Sequence, residues 1–436
     1  MKVVLLDLLP KNRSHIYKDL AAGFGTKLVV GKSLRARFLE LSKRHFVKLP
    51  VLSYGYLAGI FRAAGHEVDF VQNDLSKASR ADVVITTSSL VDYHGEREAL
   101  RELKKQGVPS VGIMGPMASL FPDQYQEVAD FVIVGEPESE ALHLAKTGTP
   151  LKGKIISPSI QHLDDLPFPS WEGFPVRQYS YFPSLKESPV LPVLGSRGCF
   201  ASCEYCAYRT NYKWRMRKPE RVIDELKYLK KKYGIRAVLF RDPMFTGNNQ
   251  RAQFMAELMI QNKLGLVWAC ETALEFLNED LLKLLYKAGL RSVNVGVESG
   301  DDGILSNVQR RAEQQRRSEH LVDFCNKVGI RVSAFYCLGL PLDTEATIRK
   351  TINYAKRLNT HVATFNVFTP YPGTPLYERV KNDIFDHDWE HYTSFTPVYR
   401  HPHLSVEQLE HLREEAFLSF YFRPQYIAFF LKRMMK

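Results

Sequence analysis

The sequence lacks several features that would assign it to other classes of protein. No stretch approaches the roughly 20 consecutive apolar residues of a membrane-spanning helix. The amino-terminal apolar run is short and meets Asp7 and then Pro10, so we expect no signal peptide. Six cysteines in 436 residues are too few for a disulfide scaffold, and there are no repeats or low-complexity segments. We therefore expect a soluble, cytoplasmic protein, in which a tight group of cysteines binds metal or does chemistry.

The composition indicates an ordered protein with a basic surplus. Hydrophobic residues make up 45% and charged residues 25%, which are ordinary globular values, and the length allows two or three domains. Lys and Arg number 59 against 48 Asp and Glu, which gives a net charge of +11. Such a surplus favours anionic ligands, nucleic acid or acidic lipid headgroups without choosing among them.

Short apolar runs alternate with helical patterns over residues 1–146, which we interpret as the first domain. The predicted strands are 3–9, 68–71, 82–86, 109–114 and 130–134, and the predicted helices are 52–64, 96–106 and one that opens at 136–138. This alternation predicts an α/β fold with a doubly wound, Rossmann-like parallel sheet, whose ligands lie beyond the carboxyl ends of the strands. A basic insertion at about 11–50 interrupts the pattern, and its place in the fold is not indicated.

Prolines become frequent over residues 147–190, which predicts an extended linker. A second alternating series follows, with predicted strands at 191–195, 237–241, 266–270, 292–297, 331–337 and 361–367. Predicted helices such as 219–233, 250–261, 278–288 and 313–328 separate them. Six strand–helix units in a row predict a partial (β/α)6 barrel of the TIM type over residues 191–375. Residues 376–436 are interpreted as a mainly helical cap.

Three cysteines lie close together in the loop that follows the first predicted barrel strand. Cys199, Cys203 and Cys206 have the spacing Cys-x-x-x-Cys-x-x-Cys. Three thiolates in one short loop can hold three irons of a 4Fe–4S cubane, which leaves the fourth iron free to chelate a small molecule. A structural zinc site would need a fourth Cys or His at close spacing, and the nearest remaining cysteine, Cys270, is far along the chain.

The cysteine motif and the sequences at later strand ends resemble those of the radical S-adenosylmethionine enzymes. The matching segments are 240–245, 296–300, 336–341 and 369–375. The resemblance implies reductive cleavage of S-adenosylmethionine to a 5′-deoxyadenosyl radical. It places Tyr205 near the adenine, Glu298 on the ribose hydroxyls and Arg310 on the methionine carboxylate. The full set that it assigns to S-adenosylmethionine is Tyr205, Asp242, Glu298, Ser299, Arg310, Ser333 and Gly339.

Several of these residues also have a purely structural interpretation. Glu298 can cap the next helix, Arg310 can belong to a solvated face, and Asp242 can form a turn. The order of the motifs at successive strand ends favours the functional interpretation. One departure is that relatives often carry a Thr-Arg pair after the third strand, whereas residues 271–275 contain no arginine.

The first domain resembles the cobalamin-binding domain of one large subgroup, the class B methyltransferases. The matching segments are 52–58, 63–68, 86–89, 112–116 and 129–138. The Asp-x-His-x-x-Gly motif is absent, and we interpret His94 as a surface histidine, so the implied cobalamin is base-off and has no histidine ligand. The alternative is a nucleotide-binding or degenerate domain, although no Gly-x-Gly-x-x-Gly follows a strand and no P-loop occurs. The residues that the resemblance assigns to cobalamin are Ser53, Tyr54, Thr87, Ser88, Ser89, Gly115, Pro116, Gly135 and Glu136.

The predicted function is that of a cobalamin-dependent radical S-adenosylmethionine C-methyltransferase. Its target would be an unactivated carbon of a small-molecule, lipid or natural-product substrate. The alternatives are cyclisation, ring rearrangement or oxidation without net methylation, and a non-enzymatic cluster or cobalamin sensor. A methylthiotransferase acting on transfer RNA is disfavoured, because no cysteine precedes Cys199.

Further expectations concern partners and the remaining cysteines. We expect a monomer with an electron donor such as flavodoxin or ferredoxin, and no nucleic-acid partner. The basic, aromatic tail 421–436 either lies on an anionic membrane surface or packs on its own domain. Cys270, Cys325 and Cys337 are predicted core residues, although Cys337 ends a barrel strand and can face the cavity.

Overall fold

The computed structural model describes residues 1–9, 16–43, 47–211, 213–312 and 314–434. The longer strands are β1 (Lys2–Asp7), β2 (Glu67–Gln72), β3 (Val83–Thr87), β4 (Ser110–Met114), β5 (Phe131–Gly135), β6 (Gly153–Ser157), β7 (Val190–Val193), β8 (Ala237–Phe240), β9 (Val267–Thr272), β10 (Leu290–Glu298), β11 (Arg331–Leu338) and β12 (Val362–Val367). The helices are α1 (Leu34–Lys43), α2 (Leu52–Ala63), α3 (Leu75–Ala78), α4 (Tyr93–Lys105), α5 (Pro116–Leu120), α6 (Asp123–Gln126), α7 (Glu138–Thr147), α8 (Tyr208–Asn211), α9 (Pro219–Tyr233), α10 (Asn249–Gln261), α11 (Glu279–Lys287), α12 (Asp302–Asn307), α13 (Gln315–Val328), α14 (Glu345–Leu358), α15 (Pro375–Val380), α16 (Val406–Tyr421) and α17 (Pro424–Met434). Two-residue strands form three antiparallel pairs, Ile16–Tyr17 with Thr26–Lys27, Val47–Lys48 with Ser180–Tyr181, and Ser196–Arg197 with Arg215–Met216.

The chain divides into two compact units. The amino-terminal unit consists of Met1–Lys27, Pro50–Val176 and Asp388–Thr393. The barrel unit consists of Leu28–Leu49, Arg177–His387 and Ser394–Lys436. The domain boundaries inferred from the sequence stay predictions.

A six-stranded parallel sheet forms the centre of the amino-terminal unit. Its order is β2-β1-β3-β4-β5-β6, so the predicted doubly wound sheet is confirmed. Strands β3 and β4 are buried along their whole length, as expected where helices cover both faces. Because β1 pairs with both β2 and β3, the strand order reverses there, and ligands of such sheets bind beyond the carboxyl ends at this point.

The sixth strand of this sheet was not predicted from the sequence. β6 lies within the segment interpreted as an extended linker, yet it pairs with β5 over five residues. It is an edge strand whose only buried residue is Ser157, and Ile156 is 77% exposed. Such a strand needs no continuous apolar run, and this is why the sequence pattern did not indicate it.

The barrel unit has six parallel strands in chain order, β7-β8-β9-β10-β11-β12. Helices α9, α10, α11, α13 and α14 follow successive strands, so the predicted partial (β/α)6 barrel is confirmed. Leu185, Val190, Ala237, Leu239 and Ala269 form one buried apolar cluster, which we call the barrel floor. Because side chains alternate along a strand, residues two positions after Leu239 and Ala269 face the same interior.

The carboxyl-terminal region is mainly helical, as predicted. Helix α16 begins with a capping box, in which Ser405 and Gln408 satisfy each other's backbone N–H groups. The first part of the tail packs on its own unit, since Tyr426 Oη donates to the His361 carbonyl at 2.8 Å and Arg423 Nη1 to the Lys356 carbonyl at 2.7 Å. Within the described ranges, no helix is both long and apolar enough to cross a membrane.

The basic insertion is described in part: helix α1 occupies 34–43, whereas residues 11–15 and 44–46 of the insertion lie outside the described ranges. Cys270 and Cys325 are fully buried and Cys337 is 8% exposed, so the prediction that they are core residues is confirmed.

Candidate active site

The three clustered cysteines lie in a loop that is closed at its base. Strand β7 leads into Ser196–Arg197, which pairs antiparallel with Arg215–Met216. The loop between them therefore leaves and rejoins the barrel at one place, beyond the carboxyl end of β7. Within it, the Cys206 N–H donates to the Cys203 carbonyl at 3.3 Å, and the Ala201 N–H donates to Cys199 Sγ at 3.4 Å.

The electrostatic surroundings keep these thiols protonated when no metal is bound. Burial raises the pKa of Cys199 and Cys203 and raises that of Cys206 to about 12, while the Arg310 guanidinium lowers the pKa of the first two. Coordination to iron removes such protons. In the part of the chain that the structure describes, no three Cys, His, Asp or Glu side chains converge as around a single metal ion. A cubane does not require convergence, because each thiolate binds a different iron.

Asp242 holds the chain that enters the cysteine loop. It is fully buried, and its Oδ1 accepts the Gly195 N–H at 2.7 Å while its Oδ2 accepts the Ser196 hydroxyl at 2.7 Å. Arg251 Nη2 donates to the Gly195 carbonyl at 2.7 Å. Burial raises the pKa of Asp242, and Arg251 opposes that rise. Both carboxylate oxygens thus serve the loop entrance, and a contact with S-adenosylmethionine stays a prediction.

Glu204, inside the cysteine motif, attaches the middle of the loop to two other segments. Its backbone N–H donates to the Val308 carbonyl at 3.0 Å, and its carbonyl accepts from Leu376 at 3.1 Å. Its carboxylate accepts from Gln309 Nε2 at 2.8 Å and forms an ion pair with Arg379. We did not identify Glu204 from the sequence, because its partners lie more than 100 residues away.

Glu298 and Arg310 converge on Gly296 at the end of β10. Glu298 has φ 65°, and the pairing of β10 with β11 shifts register between Gly296 and Glu298. This bulge brings the carboxylate back over Gly296, where an added Cβ would lie 2.4 Å from Glu298 Oε1. Arg310 is 8% exposed and donates from Nη2 to the Gly296 carbonyl at 2.8 Å. A strained non-glycine residue at a strand end is typical of functional sites.

The structural alternatives for these two residues are wrong. Helix α12 is capped by Asp301, which accepts from Gly303 and Ile304, and not by Glu298. Arg310 is buried, whereas a solvated face would expose it. Both residues interact electrostatically with Tyr205. Burial and the Glu298 carboxylate raise the pKa of Tyr205, and the Arg310 guanidinium lowers it.

The remaining predicted S-adenosylmethionine residues fall into two places. Ser299 Oγ lies 3.2 Å from Thr351 Oγ1, directly after Glu298. Gly339 follows β11, with φ 79°, and donates to Asp343 Oδ2 at 2.9 Å. Ser333 is not brought to this group, since it lies near the amino end of β11, 3.4 Å from Ser184 Oγ.

An ion pair faces the barrel interior above its floor. Arg241 follows Leu239 by two residues and Glu271 follows Ala269 by two, so both share the interior face of their strands. Arg241 Nη1 lies 2.6 Å from Glu271 Oε1, with side chains 6% and 21% exposed. The barrel therefore carries a guanidinium, that of Arg241, at the end of its second strand. Relatives often place an arginine after the third strand instead, and this sequence has none there.

In the amino-terminal unit, the predicted cobalamin residues lie on α2 and at the carboxyl ends of β3, β4 and β5. Tyr54 Oη donates to the Leu6 carbonyl at 2.7 Å and accepts the Thr87 N–H at 3.0 Å. Ser88 Oγ accepts the Ala118 N–H at 2.8 Å. These polar groups join neighbouring strand ends to each other.

Glycines at this edge are required by the chain itself. Gly115 has φ 104°, and a Cβ there would lie 2.8 Å from Thr87 Oγ1. Gly135 has φ 98°, and a Cβ would lie 3.1 Å from the Ser157 carbonyl. Pro116 begins α5, Glu136 is buried and accepts from the Ile160 N–H at 3.2 Å, and Ser53 lies half-buried on α2.

A buried group of charges lies beneath Ser89. Lys18 Nζ is 3.0 Å from Asp92 Oδ2 and 2.6 Å from Glu96 Oε1, and Ser89 Oγ donates to Glu96 Oε1 at 2.7 Å. Burial raises the pKa of Glu96 to about 7, although Lys18 opposes the rise. We did not identify Lys18 or Glu96 from the sequence. His94 is exposed and lies 3.2 Å from Asp388 Oδ1, which confirms that it is a surface histidine.

Comparison with known families decides the nature of the barrel site. Residues 193–355 match the Radical SAM superfamily. The chain therefore contains a Radical SAM domain, which indicates an enzyme. The family implies a 4Fe–4S cluster, S-adenosylmethionine, a small-molecule substrate and an electron donor. The matched segment contains the cysteine loop, Glu298 and Arg310.

Relatives extend the likeness beyond this domain to most of the chain. An uncharacterized methyltransferase of Pyrococcus horikoshii is 28% identical over 414 residues, which cover 86% of this chain and 88% of that protein. An anaerobic magnesium-protoporphyrin IX monomethyl ester cyclase of Rubrivivax gelatinosus is 25% identical over 387 residues, covering 79% and 69%. The structure of the radical S-adenosylmethionine methyltransferase TsrM of Kitasatospora setae, with cobalamin and a 4Fe–4S cluster bound, has a TM-score of 0.67 at 16% identity and covers 94% of this chain and 90% of that chain. The fold of this chain is thus similar to that of TsrM.

The residues present fit the implied groups in different ways. Cys199, Cys203 and Cys206 are a donor set of three thiols without a nearby fourth, which suits a cubane with one open iron. Ser88, Ser89, Gly115 and Gly135 are small residues at the ends of β3, β4 and β5, and a contact between them and cobalamin stays a prediction.

Proposed function

We propose that this enzyme is a cobalamin-dependent C-methyltransferase that acts on an unactivated carbon of a small organic molecule. The observation that carries the proposal is that the charges of Arg310 and Glu298 both act on Cys203 of the cysteine loop, in a chain that is similar over 86% of its length to a protein named as an uncharacterized methyltransferase. When bound, a reduced cluster supplies the electron that cleaves S-adenosylmethionine to methionine and the 5′-deoxyadenosyl radical, and methylcobalamin supplies the methyl group.

The positions of the chain's own residues support the following roles. Cys199, Cys203 and Cys206 would hold a 4Fe–4S cluster, which would supply an open iron for the amino and carboxylate groups of S-adenosylmethionine. Arg310, buried beside the thiols, neutralises that carboxylate, because a buried guanidinium gains a charge partner there. Glu298, turned back by the bulge, accepts hydrogen bonds from two ribose hydroxyls.

The interior of the barrel separates the radical from water. The floor cluster closes one end of the lumen with apolar side chains. Exclusion of water matters because a primary carbon radical abstracts hydrogen from any nearby donor. Above the floor, the pair of Arg241 and Glu271 is placed to orient a substrate within the lumen, since both side chains lie on the interior face.

For the amino-terminal unit, we propose base-off cobalamin bound at the carboxyl ends of β1 and β3–β5, without a histidine on cobalt. Support comes from the sheet order, which places the switch point there, and from His94, which points to Asp388 at the surface. The residues proposed to line the ligand are the nine predicted ones: Ser53, Tyr54, Thr87, Ser88, Ser89, Gly115, Pro116, Gly135 and Glu136.

The first experiment tests the cluster and the radical step. Anaerobically purified and reconstituted enzyme should show the broad visible absorption of a 4Fe–4S cluster, together with corrin bands, and should form 5′-deoxyadenosine with a reductant. Cys203→Ala should lose the cluster absorption. Cys325→Ala, which removes an equally buried cysteine of α13, should keep it. Iron retained unchanged in a triple alanine variant of the cluster cysteines would refute the proposal.

The second experiment seeks the substrate and separates two reactions. Extracts of cells with and without the gene are compared for compounds, lipids included, that differ by about 14 daltons, the mass of one CH₂. The 25% identical cyclase supports a second candidate, oxidation or cyclisation without net methylation. That reaction would give 5′-deoxyadenosine and a product lighter by two hydrogens or heavier by oxygen, with no methyl group from labelled methionine.

A further inference from the structure

Helix α1 exposes an apolar stripe to solvent. Leu34, Phe38 and Leu41 are 85%, 64% and 56% exposed, and their spacing of four and three residues places them on one face. On the other side of the helix, Ala36 and Leu39 are buried. The helix is thus packed along one face and bare along another.

The buried face is firmly attached within the barrel unit. The Val30 N–H, just before the helix, donates to Glu40 at 2.5 Å, and its carbonyl accepts from Arg413 Nε of α16 at 3.2 Å. The Lys32 N–H donates to Glu414 Oε2 at 2.8 Å. Because these contacts hold the helix from behind, the bare stripe is not needed for its packing.

The sequence around the stripe is rich in basic residues. Between positions 32 and 48 the sequence has six Lys or Arg residues and one acid, Glu40. At 100° per residue, Arg35 and Arg37 lie on opposite sides of the stripe, and both are exposed. Neither has a carboxylate partner among the described residues.

We propose that α1 is a membrane-docking helix that lies in the interface of an anionic lipid bilayer. Leu34, Phe38 and Leu41 enter the acyl region, and Arg35 and Arg37 meet the phosphates of the headgroups. A second copy of the chain fits less well, because it would bring two strongly basic segments together. Nucleic acid fits less well, because it offers no apolar surface to three exposed large side chains. This inference does not depend on the reaction proposed above.

The test uses the full-length enzyme and sedimentation with lipid vesicles. It should bind vesicles of equimolar phosphatidylcholine and phosphatidylglycerol, bind pure phosphatidylcholine weakly, and lose binding as salt increases. Arg35→Gln combined with Arg37→Gln should weaken binding roughly thirtyfold, at about one basic side chain's contribution each. Phe38→Ser should weaken it roughly tenfold or more.

Matched controls separate this helix from general surface effects. Phe254→Ser removes an exposed phenylalanine from α10, and Lys231→Gln with Lys287→Gln removes two exposed lysines from barrel helices; these should bind vesicles like the unaltered enzyme. All substituted residues are exposed, and an unchanged thermal unfolding curve confirms folding. Absent vesicle binding, equal binding by helix and control variants, or a dimer that Phe38→Ser dissociates would each overturn the proposal.

Discussion

Replacement of Asp242 offers a decisive test of what positions the cysteine loop. If this carboxylate mainly binds S-adenosylmethionine, its loss should weaken that ligand and leave the protein intact. If it anchors Gly195 and Ser196, as its contacts indicate, its loss should open the entrance to the loop. The variants are Asp242→Ala and Asp242→Asn.

The contacts set the magnitude for Asp242→Ala. Each hydrogen bond to a buried carboxylate contributes about 1.5–3 kcal/mol. Part of the two bonds' contribution is offset because the alanine variant no longer desolvates a charge, and the raised pKa of Asp242 shows that this desolvation is unfavourable. We expect a net loss of about 2–4 kcal/mol, which makes local opening roughly thirty- to seven-hundredfold more frequent. Asp242→Asn keeps the shape and one acceptor, so its effect should be smaller.

Hydrogen exchange measured by mass spectrometry on peptides that span 194–218 gives this opening frequency directly. Asp343→Ala is a matched control, since Asp343 is also buried and accepts two backbone N–H groups, those of Gly339 and Leu340. It should speed exchange after β11 and leave 194–218 unchanged. Unaltered exchange over 194–218 in Asp242→Ala, together with weaker S-adenosylmethionine binding, would refute the anchoring role.

Three other substitutions probe buried or bridging charges. Lys18→Met should destabilise the amino-terminal unit by about 3–5 kcal/mol in thermal unfolding, because it leaves buried carboxylates unpaired. Adding Glu96→Gln should restore part of this stability. Full stability of the single variant would contradict the prediction. Glu204→Ala should lower the stability of the cysteine loop by only about 1 kcal/mol, because its ion-pair partner Arg379 is 41% exposed. The variant should lose its cluster to a chelator severalfold faster. Burial raises the pKa of Asp343 to about 6, so the folded state binds this proton more tightly than the unfolded state does. The free energy of unfolding should therefore fall by about 3 kcal/mol as pH rises from about 4 to 6. Urea midpoints measured across this range should show that decrease, and Asp343→Asn should abolish it.

Much of the barrel could be predicted from the sequence because most of its strand residues are buried, and β7 and β8 are buried along their whole length. All six predicted barrel strands overlap observed strands, and the predicted helix 219–233 coincides with α9. Continuous apolar runs between amphipathic helices give a strong signal. Edge strand β6 and helix α1 have no such pattern, since the first is largely exposed and the second exposes apolar side chains.

Residues that act through distant contacts could not be predicted. Glu204 forms its contacts with segments near 308 and 376, and Lys18 with residues more than 70 positions away. Nothing in local sequence marks such pairs, because each residue alone is compatible with a solvated surface. Arg241 and Glu271 are an intermediate case for prediction. The alternation of side chains along each strand puts both on the interior face, but only the pairing of the strands brings them together.

The sequence alone determined the chemistry that is available to this protein: three cysteines at close spacing and a series of strand-end motifs are local features that need no folded chain to be recognised. The tertiary structure decided which of the motif residues meet. It brought Glu298 and Arg310 together on Gly296, used Asp242 to hold the loop entrance, and left Ser333 deep in the barrel. The physical reason is that strand register, a bulge and burial set distances between residues far apart in the chain, and these depend on the packing of the whole sheet.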